Sequence, residues 1–292
     1  MDMELAVRAS KAFPLQADGR PLYPATGHRQ VLERLRQDFA AGHHLTCLIG
    51  APGSGKTALL KALHAGLGAD AALVLEPAPG ALLHRLTRAL GLDVRGDTAT
   101  AARRRLAMTL TASGRYRRPV VLIIDDADRL QAADLDVLFH FFNPGCARIL
   151  LAGRPVLATF FEHAQPRSTL PRADRIQRLD PLAPADTAGY IRHRLAQARL
   201  PTHLFDSDAA AAVHAYAGGL PRGINRLCAI VLMDAGRRGD DHVTAAQVRA
   251  VALRAPAGTY VEPRQPLPPP VATLRALKGE DRPDGALEQT AG

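Results

Sequence analysis

Eight consecutive residues, Gly50, Ala51, Pro52, Gly53, Ser54, Gly55, Lys56 and Thr57, have the types and spacing needed to hold a phosphate. They fit the pattern G-x-x-x-x-G-K-[ST]. The glycines let the backbone curl so that successive N–H groups point inward, and a helix opening at the loop's end adds partial positive charge. Lys56 then reaches the β- and γ-phosphates, the Thr57 hydroxyl ligates Mg²⁺, and Ala58 continues the phosphate-facing turn into the helix.

A second set of residues suits the other side of such a site. The apolar run 119–124 (PVVLII) ends in Asp125 and Asp126. A carboxylate at the C-terminal edge of a buried strand holds Mg²⁺ beside Thr57, which is the role open to Asp125. Asp126 is the candidate that orients or activates an attacking water. Read alone, the pair also fits two acidic residues capping a strand. Arg154 follows another apolar run, and either points at a γ-phosphate or occupies a Gly-Arg-Pro surface turn. Arg222 lies in the first turn of a helix opened by Gly218-Gly219-Leu220-Pro221, where the macrodipole disfavours a cation. That placement points to an anionic partner, or else to an exposed arginine of little consequence. Arg172, Arg175 and Arg178 surround a last short strand, either as an arginine finger for a neighbouring subunit or as a basic edge. Arg103, Arg104, Arg105, Arg115, Arg117 and Arg118 form the densest basic cluster. Tyr116 is its one interleaved aromatic, so base stacking is not signalled. A charged helix face and contact with a phosphate backbone both fit it.

These residues need elements to position them. The run 44–49 reads as a buried strand before the glycine-rich loop, and 58–67 as the helix after it. Strands are also predicted at 71–76, 119–124, 147–152 and 175–180. Helices are predicted at 28–41, 80–91, 98–113 and 131–142. Alternating strands and helices imply a parallel sheet covered on both faces. The character then changes to helices at 184–199, 207–217, 221–236 and 244–254, with Thr244 and Gln247 forming a capping box. The expected organisation is an irregular segment over 1–24, an α/β nucleotide-binding core over 25–182, a helical lid over 183–254, and a disordered Pro-rich tail over 255–292.

Composition sets the outer limits. The chain has 292 residues, enough for one large domain or two. No run of about 18 apolar residues is present, so no membrane span is expected. The first residues lack the layout of a signal peptide. Cys47, Cys146 and Cys228 are scattered and odd in number, as expected of reduced thiols in the cytoplasm. The net charge of +9 favours anionic partners such as nucleic acid, or reflects an arginine-rich solvated surface.

The segments GAPGSGKT, VVLIIDDAD, LLAGRP, DRIQRLDPL, YIRHRLAQA and GGLPRGINRLC occur in this order. Together they resemble the AAA+ ATPases of the general secretion pathway protein A (ExeA) type. The related transposition ATPases (TnsC/TniB kind) share the same core. The resemblance covers residues 22 to 253, and the GLPRGINRLC segment is its most specific part. It implies a P-loop α/β core with a C-terminal helical lid, ATP and Mg²⁺ as ligands, and homo-oligomers with sites between subunits. It places Arg154 at the sensor-1 position, Arg222 at the sensor-2 position and Arg175 near the arginine-finger position. His28 matches a histidine near the adenine site. The chain departs from the pattern at Asp126, where the family usually has Glu, and at Arg154, where Gln or Asn is usual. A shorter acid at Asp126 implies slow hydrolysis, since a misplacement of about 1 Å costs about 10²-fold in rate. Two partner classes follow, a protein of a secretion or envelope system and duplex DNA in transposition. A nucleotide-gated adaptor with little hydrolysis is the third reading.

Overall fold

The computed structural model describes residues 3–15, 22–68, 71–75, 80–115, 119–140, 147–162 and 173–254. The Pro-rich tail, Cys146, Arg172 and the stretch Tyr116, Arg117 and Arg118 lie outside the described residues.

Five strands form one parallel sheet: β1 (Leu45–Gly50), β2 (Ala71–Val74), β3 (Val120–Ile124), β4 (Ala147–Gly153) and β5 (Arg175–Leu179). Their order is β2-β3-β4-β1-β5, with every described pairing parallel. All six residues of β1 and all five of β3 are buried, which is why both read as unbroken apolar runs rather than alternating ones. Alternate side chains feed opposite faces. Leu45, Cys47 and Ile49 join Leu122, Ile124, Leu106 and Leu138 in one core cluster. Leu48, Val121 and Ile123 join Leu35, Leu59 and Leu63 in another on the opposite face. The first face is covered by α4 (Leu82–Ala89), α5 (Ala99–Arg115), α6 (Ala132–His140) and α7 (Val156–Glu162), and the second by α2 (Thr26–Ala40) and α3 (Lys56–Leu67). The register Ile49↔Gly153 and Ile124↔Leu151 brings the C-terminal ends of β1, β3 and β4 to one edge of the sheet. That edge is where open α/β sheets bind ligands.

A third core belongs to α8 (Pro184–Gln197), α9 (Ser207–Ala217), α10 (Pro221–Arg238) and α11 (Ala245–Arg254). The expected capping box is present: the Thr244 amide donates to Gln247 Oε1 at 2.7 Å, and the Gln247 amide to Thr244 Oγ1 at 3.4 Å. Leu182 and Gly219 join the sheet to this module through an amide–carbonyl bond of 2.8 Å. Gly219 has φ +69, and a Cβ there would sit 2.3 Å from the Leu182 carbonyl oxygen. Only glycine suits both demands.

One expectation is corrected here. Residues 3–10, read as part of an irregular segment, form a helix, α1 (Met3–Ser10). Ala6, Ala9, Ala12 and Phe13 are at most 2% exposed and pack in the same core as α10. The buried stripe is mostly alanine. Small side chains give weak apolar periodicity, yet they let the helix approach α10 closely. No helix among the described residues is long and apolar enough to cross a membrane.

Candidate functional site

The loop between β1 and α3 has the backbone that its glycines predict. Gly53 (φ +76) and Gly55 (φ +102) both lie in the left-handed region. Neither has room for a side chain. A Cβ at Gly53 would sit 2.7 Å from the Arg222 Cβ, and one at Gly55 would sit 2.7 Å from His28 Nε2. A lid residue and a residue of α2 therefore press on the loop from two sides.

Lys56 begins α3 and is 7% exposed. Its Nζ donates to the Gly50 carbonyl at 2.8 Å and the Ala51 carbonyl at 3.2 Å. Burial pulls its pKa below the ordinary lysine value, while Asp125, Asp126 and Asp128 oppose that shift. The next residue, Thr57, donates its hydroxyl to Asp125 Oδ2 at 2.5 Å. Asp125 is 3% exposed, and burial raises its carboxyl pKa against the Thr57 hydrogen bond, which lowers it. A hydroxyl and a carboxylate brought together beside a lysine form a hard-oxygen donor pair that suits Mg²⁺, an ion that keeps several waters and adds phosphate oxygens. The curled backbone and the partnerless buried Ser54 hydroxyl fit a loop shaped around something other than its own side chains.

Asp126 has φ 47 and ψ 38, a left-handed conformation that Asp and Asn tolerate better than other residues. Its amide donates to Asp125 Oδ1 at 3.0 Å. His28, 3% exposed, donates from Nε2 to the Ser54 carbonyl at 3.0 Å, and burial lowers its pKa. The Arg222 amide donates to the Gly53 carbonyl at 3.2 Å, tying the first turn of α10 to the loop.

A cleft of roughly 770 Å³ gathers these residues. Of the sequence-expected set, Pro52, Gly53, Gly55, Lys56, Thr57, Ala58, His28, Asp125, Asp126, Arg154 and Arg222 line it. Gly50 and Ala51 sit behind it as acceptors for Lys56, and Ser54 is buried under the loop. Arg175 does not line the cleft of its own chain. It lies on edge strand β5 with a 56% exposed side chain, 4.0 Å from Asp38.

Sequence reasoning missed several contributors. Asp128 holds Arg154 through its main chain and side chain. Asn225 donates to the Pro14 carbonyl at 2.6 Å and accepts from the Tyr190 hydroxyl at 2.9 Å. Arg194 donates to the Ala12 carbonyl at 3.0 Å. Pro14, Tyr190, Arg194 and Asn225 all line the cleft, so the segment after α1 forms one of its walls. The available signal was the polar Asn225 and Arg194 on the otherwise apolar faces of α10 and α8.

Residues 40–161 match the AAA domain family. The chain is 26% identical over 245 residues to general secretion pathway protein A of Aeromonas hydrophila, an alignment covering 79% of this chain and 44% of that protein. The chain thus spans less than half the length of this curated relative. Among solved structures it is similar to a Walker-type ATPase of Pyrococcus abyssi, with a TM-score of 0.61 and 15% identity over 83% of this chain and 75% of the other. It is also similar to the Aeropyrum pernix ORC2 protein, with a TM-score of 0.57 and 16% identity over 82% and 70%. At these identities the structural likeness carries the fold, which is that of P-loop AAA+ ATPases.

Proposed function

We propose, with an AAA-type nucleotide fold as the premise, that this chain binds ATP with Mg²⁺ and hydrolyses it to change its own assembly and act on a partner. The observation that carries this reading is the Thr57–Asp125 contact of 2.5 Å beside buried Lys56 at the end of a glycine-curled loop. Thr57 and Asp125 would hold Mg²⁺, which when bound neutralises charge on the β- and γ-phosphate oxygens. Lys56 and the cleft arginines hold the γ-phosphoryl group. A water oxygen bonds to the γ-phosphorus as the bond to the bridging oxygen breaks, and ADP leaves. Asp126 orients that water and takes its proton. Catalysis is then mainly positioning and charge stabilisation. Arg175, exposed on edge strand β5, would serve a neighbouring subunit of a homo-oligomer in this reading.

The partner we favour is a protein of a secretion or envelope system, acting from the cytoplasm, on the strength of the 26% identity to general secretion pathway protein A. A second reading, ATP-dependent binding of duplex DNA as in transposition, is favoured by α5. There Arg103 and Arg104 are exposed and have no partner among the described residues. Phosphate release measured with and without duplex DNA tests both. Turnover abolished by Lys56→Ala and indifferent to DNA supports the first reading. Stimulation by DNA that fades with salt supports the second. Absence of turnover in the unmodified chain, with ATP still bound, leaves a nucleotide-gated adaptor. Unchanged ATP affinity in Lys56→Ala overturns the site itself.

A further inference from the structure

Asp128 lies in the short 3-10 turn Ala127–Arg129, directly after the Asp125-Asp126 pair. Its side chain is 3% exposed. Oδ1 accepts from the Arg154 amide at 3.1 Å, and Oδ2 pairs with Arg154 Nε at 3.3 Å. A Cβ at Gly153 would sit 2.6 Å from Asp128 Oδ1, so a glycine before Arg154 leaves space for the carboxylate. Burying this carboxylate is costly unless a cation and hydrogen bonds compensate, and Arg154 supplies both. Engagement through Nε leaves the two terminal amines of the guanidinium over. Arg154 has no further partner among the described residues, and its side chain, 34% exposed, lines the cleft that holds Lys56 and Asp126.

We propose that Asp128 is a positioning residue: its hold on the main chain and Nε of Arg154 fixes the guanidinium so that its terminal amines face the γ-phosphate. The proposal rests on the ATP-binding reading above. Only a guanidinium can be gripped at Nε while two donors still face outward. A lysine has one compact ammonium and cannot do both.

The test is equilibrium binding of fluorescent ATP and ADP analogues to the full chain, read as the ratio of the two affinities. Arg154→Ala should lose about tenfold for the triphosphate, the scale of one charge-assisted hydrogen bond, and change the diphosphate by less than about twofold. Asp128→Asn keeps the shape and the acceptor for the Arg154 amide. It should lower the same ratio, Arg154→Lys should not restore it, and the double variant Asp128→Asn/Arg154→Ala should add nothing further. Equal losses for both nucleotides in Asp128→Asn would make Asp128 a structural support only and overturn the proposal. So would additive losses. If Asp128→Asn fails to melt cooperatively, Asp128→Ser is read in its place, and equal loss of both nucleotides overturns the proposal there too. Failure of the unmodified chain to bind ATP sinks the functional reading instead.

Discussion

The Thr57 hydroxyl, in the first turn of α3, donates to Asp125, just past the end of β3, across 2.5 Å, although β1, which leads into the loop before α3, is separated from β3 by β4 in the sheet. Parallel crossovers bring the C-terminal ends of β1, β3 and β4 to one edge, where Thr57 meets Asp125. The pair is therefore a product of topology rather than of sequence neighbourhood. Thr57→Ala removes one of two oxygens offered to Mg²⁺ and leaves the loop backbone intact. ATP affinity should fall about tenfold with Mg²⁺ present and hardly at all under a chelator. Thr57→Ser should keep the wild-type affinity. Titrating nucleotide in both buffers checks this, and equal loss in both would assign Thr57 to the loop's structure.

Asp126 combines an unusual backbone with a cleft-lining carboxylate, and two variants separate these roles. Asp126→Asn keeps a residue that tolerates φ 47. It should retain ATP and lose turnover. Asp126→Gly relaxes the backbone, should leave the melting temperature unchanged or higher, and should lose turnover as well. Phosphate release by Asp126→Gly at the wild-type rate would show that the backbone turn, not the carboxylate, matters.

Gly53 is where the loop and the lid meet. Gly53→Ala must accommodate φ +76 and a Cβ 2.7 Å from the Arg222 Cβ. The amide–carbonyl bond between Arg222 and Gly53 should break, and the first turn of α10 should move off the loop. Hydrogen exchange at the Arg222 amide should speed up while exchange in α11 stays at its wild-type rate.

Much of this was legible before the structure. The strand runs were readable because parallel, doubly buried strands need continuous apolar residues, and Gly50 to Thr57 were readable because the loop's chemistry is local. Gly153 and Arg154 were visible as a strand end. Asp128 was not visible as their partner, because an i+3 neighbour of Asp125 carries no signal of a contact 26 residues away. α1 escaped for a different reason: an alanine stripe buries little apolar area per residue, and only its docking on α10 makes it a helix. Asn225 and Arg194 are long-range partners of Ala12 and Pro14, and no periodicity reports a hydrogen bond to a carbonyl some two hundred residues away in the chain.

Asn225 tests how far α1 depends on the lid. Asn225→Ala removes the donor to the Pro14 carbonyl and one acceptor for the Tyr190 hydroxyl. Each lost hydrogen bond of this half-buried kind is worth about 0.5–1.5 kcal/mol. The melting temperature should drop, and proteolysis should first cut near residue 14. Asn225→Asp keeps the acceptor for Tyr190 and loses the donor to Pro14, so it should fall between. An unchanged cleavage pattern would mean that the alanine packing alone holds α1.

His28 makes stability depend on pH, and the sign follows from burial. Its ring is enclosed between α2 and the loop, and burial lowers its pKa from the usual value near 6.5, against weaker opposing effects from the Ser54 carbonyl and Asp186. The folded protein then keeps His28 neutral at pH values where the unfolded chain is already protonated. The unfolded state binds more protons, so stability is complete above about pH 6.5 and is lost as pH falls from there towards the lower folded value. The slope contributed by one such group is at most about 1.4 kcal/mol per pH unit. His28→Gln places an amide donor near the Ser54 carbonyl and cannot titrate. Denaturant unfolding at pH 7.5 and pH 5.5 should show a smaller loss of stability for the variant than for the wild type. His193, whose pKa burial also lowers, contributes to both proteins and cancels in the difference. Equal losses in the two proteins would mean that the fold opens around His28 and lets it charge in place.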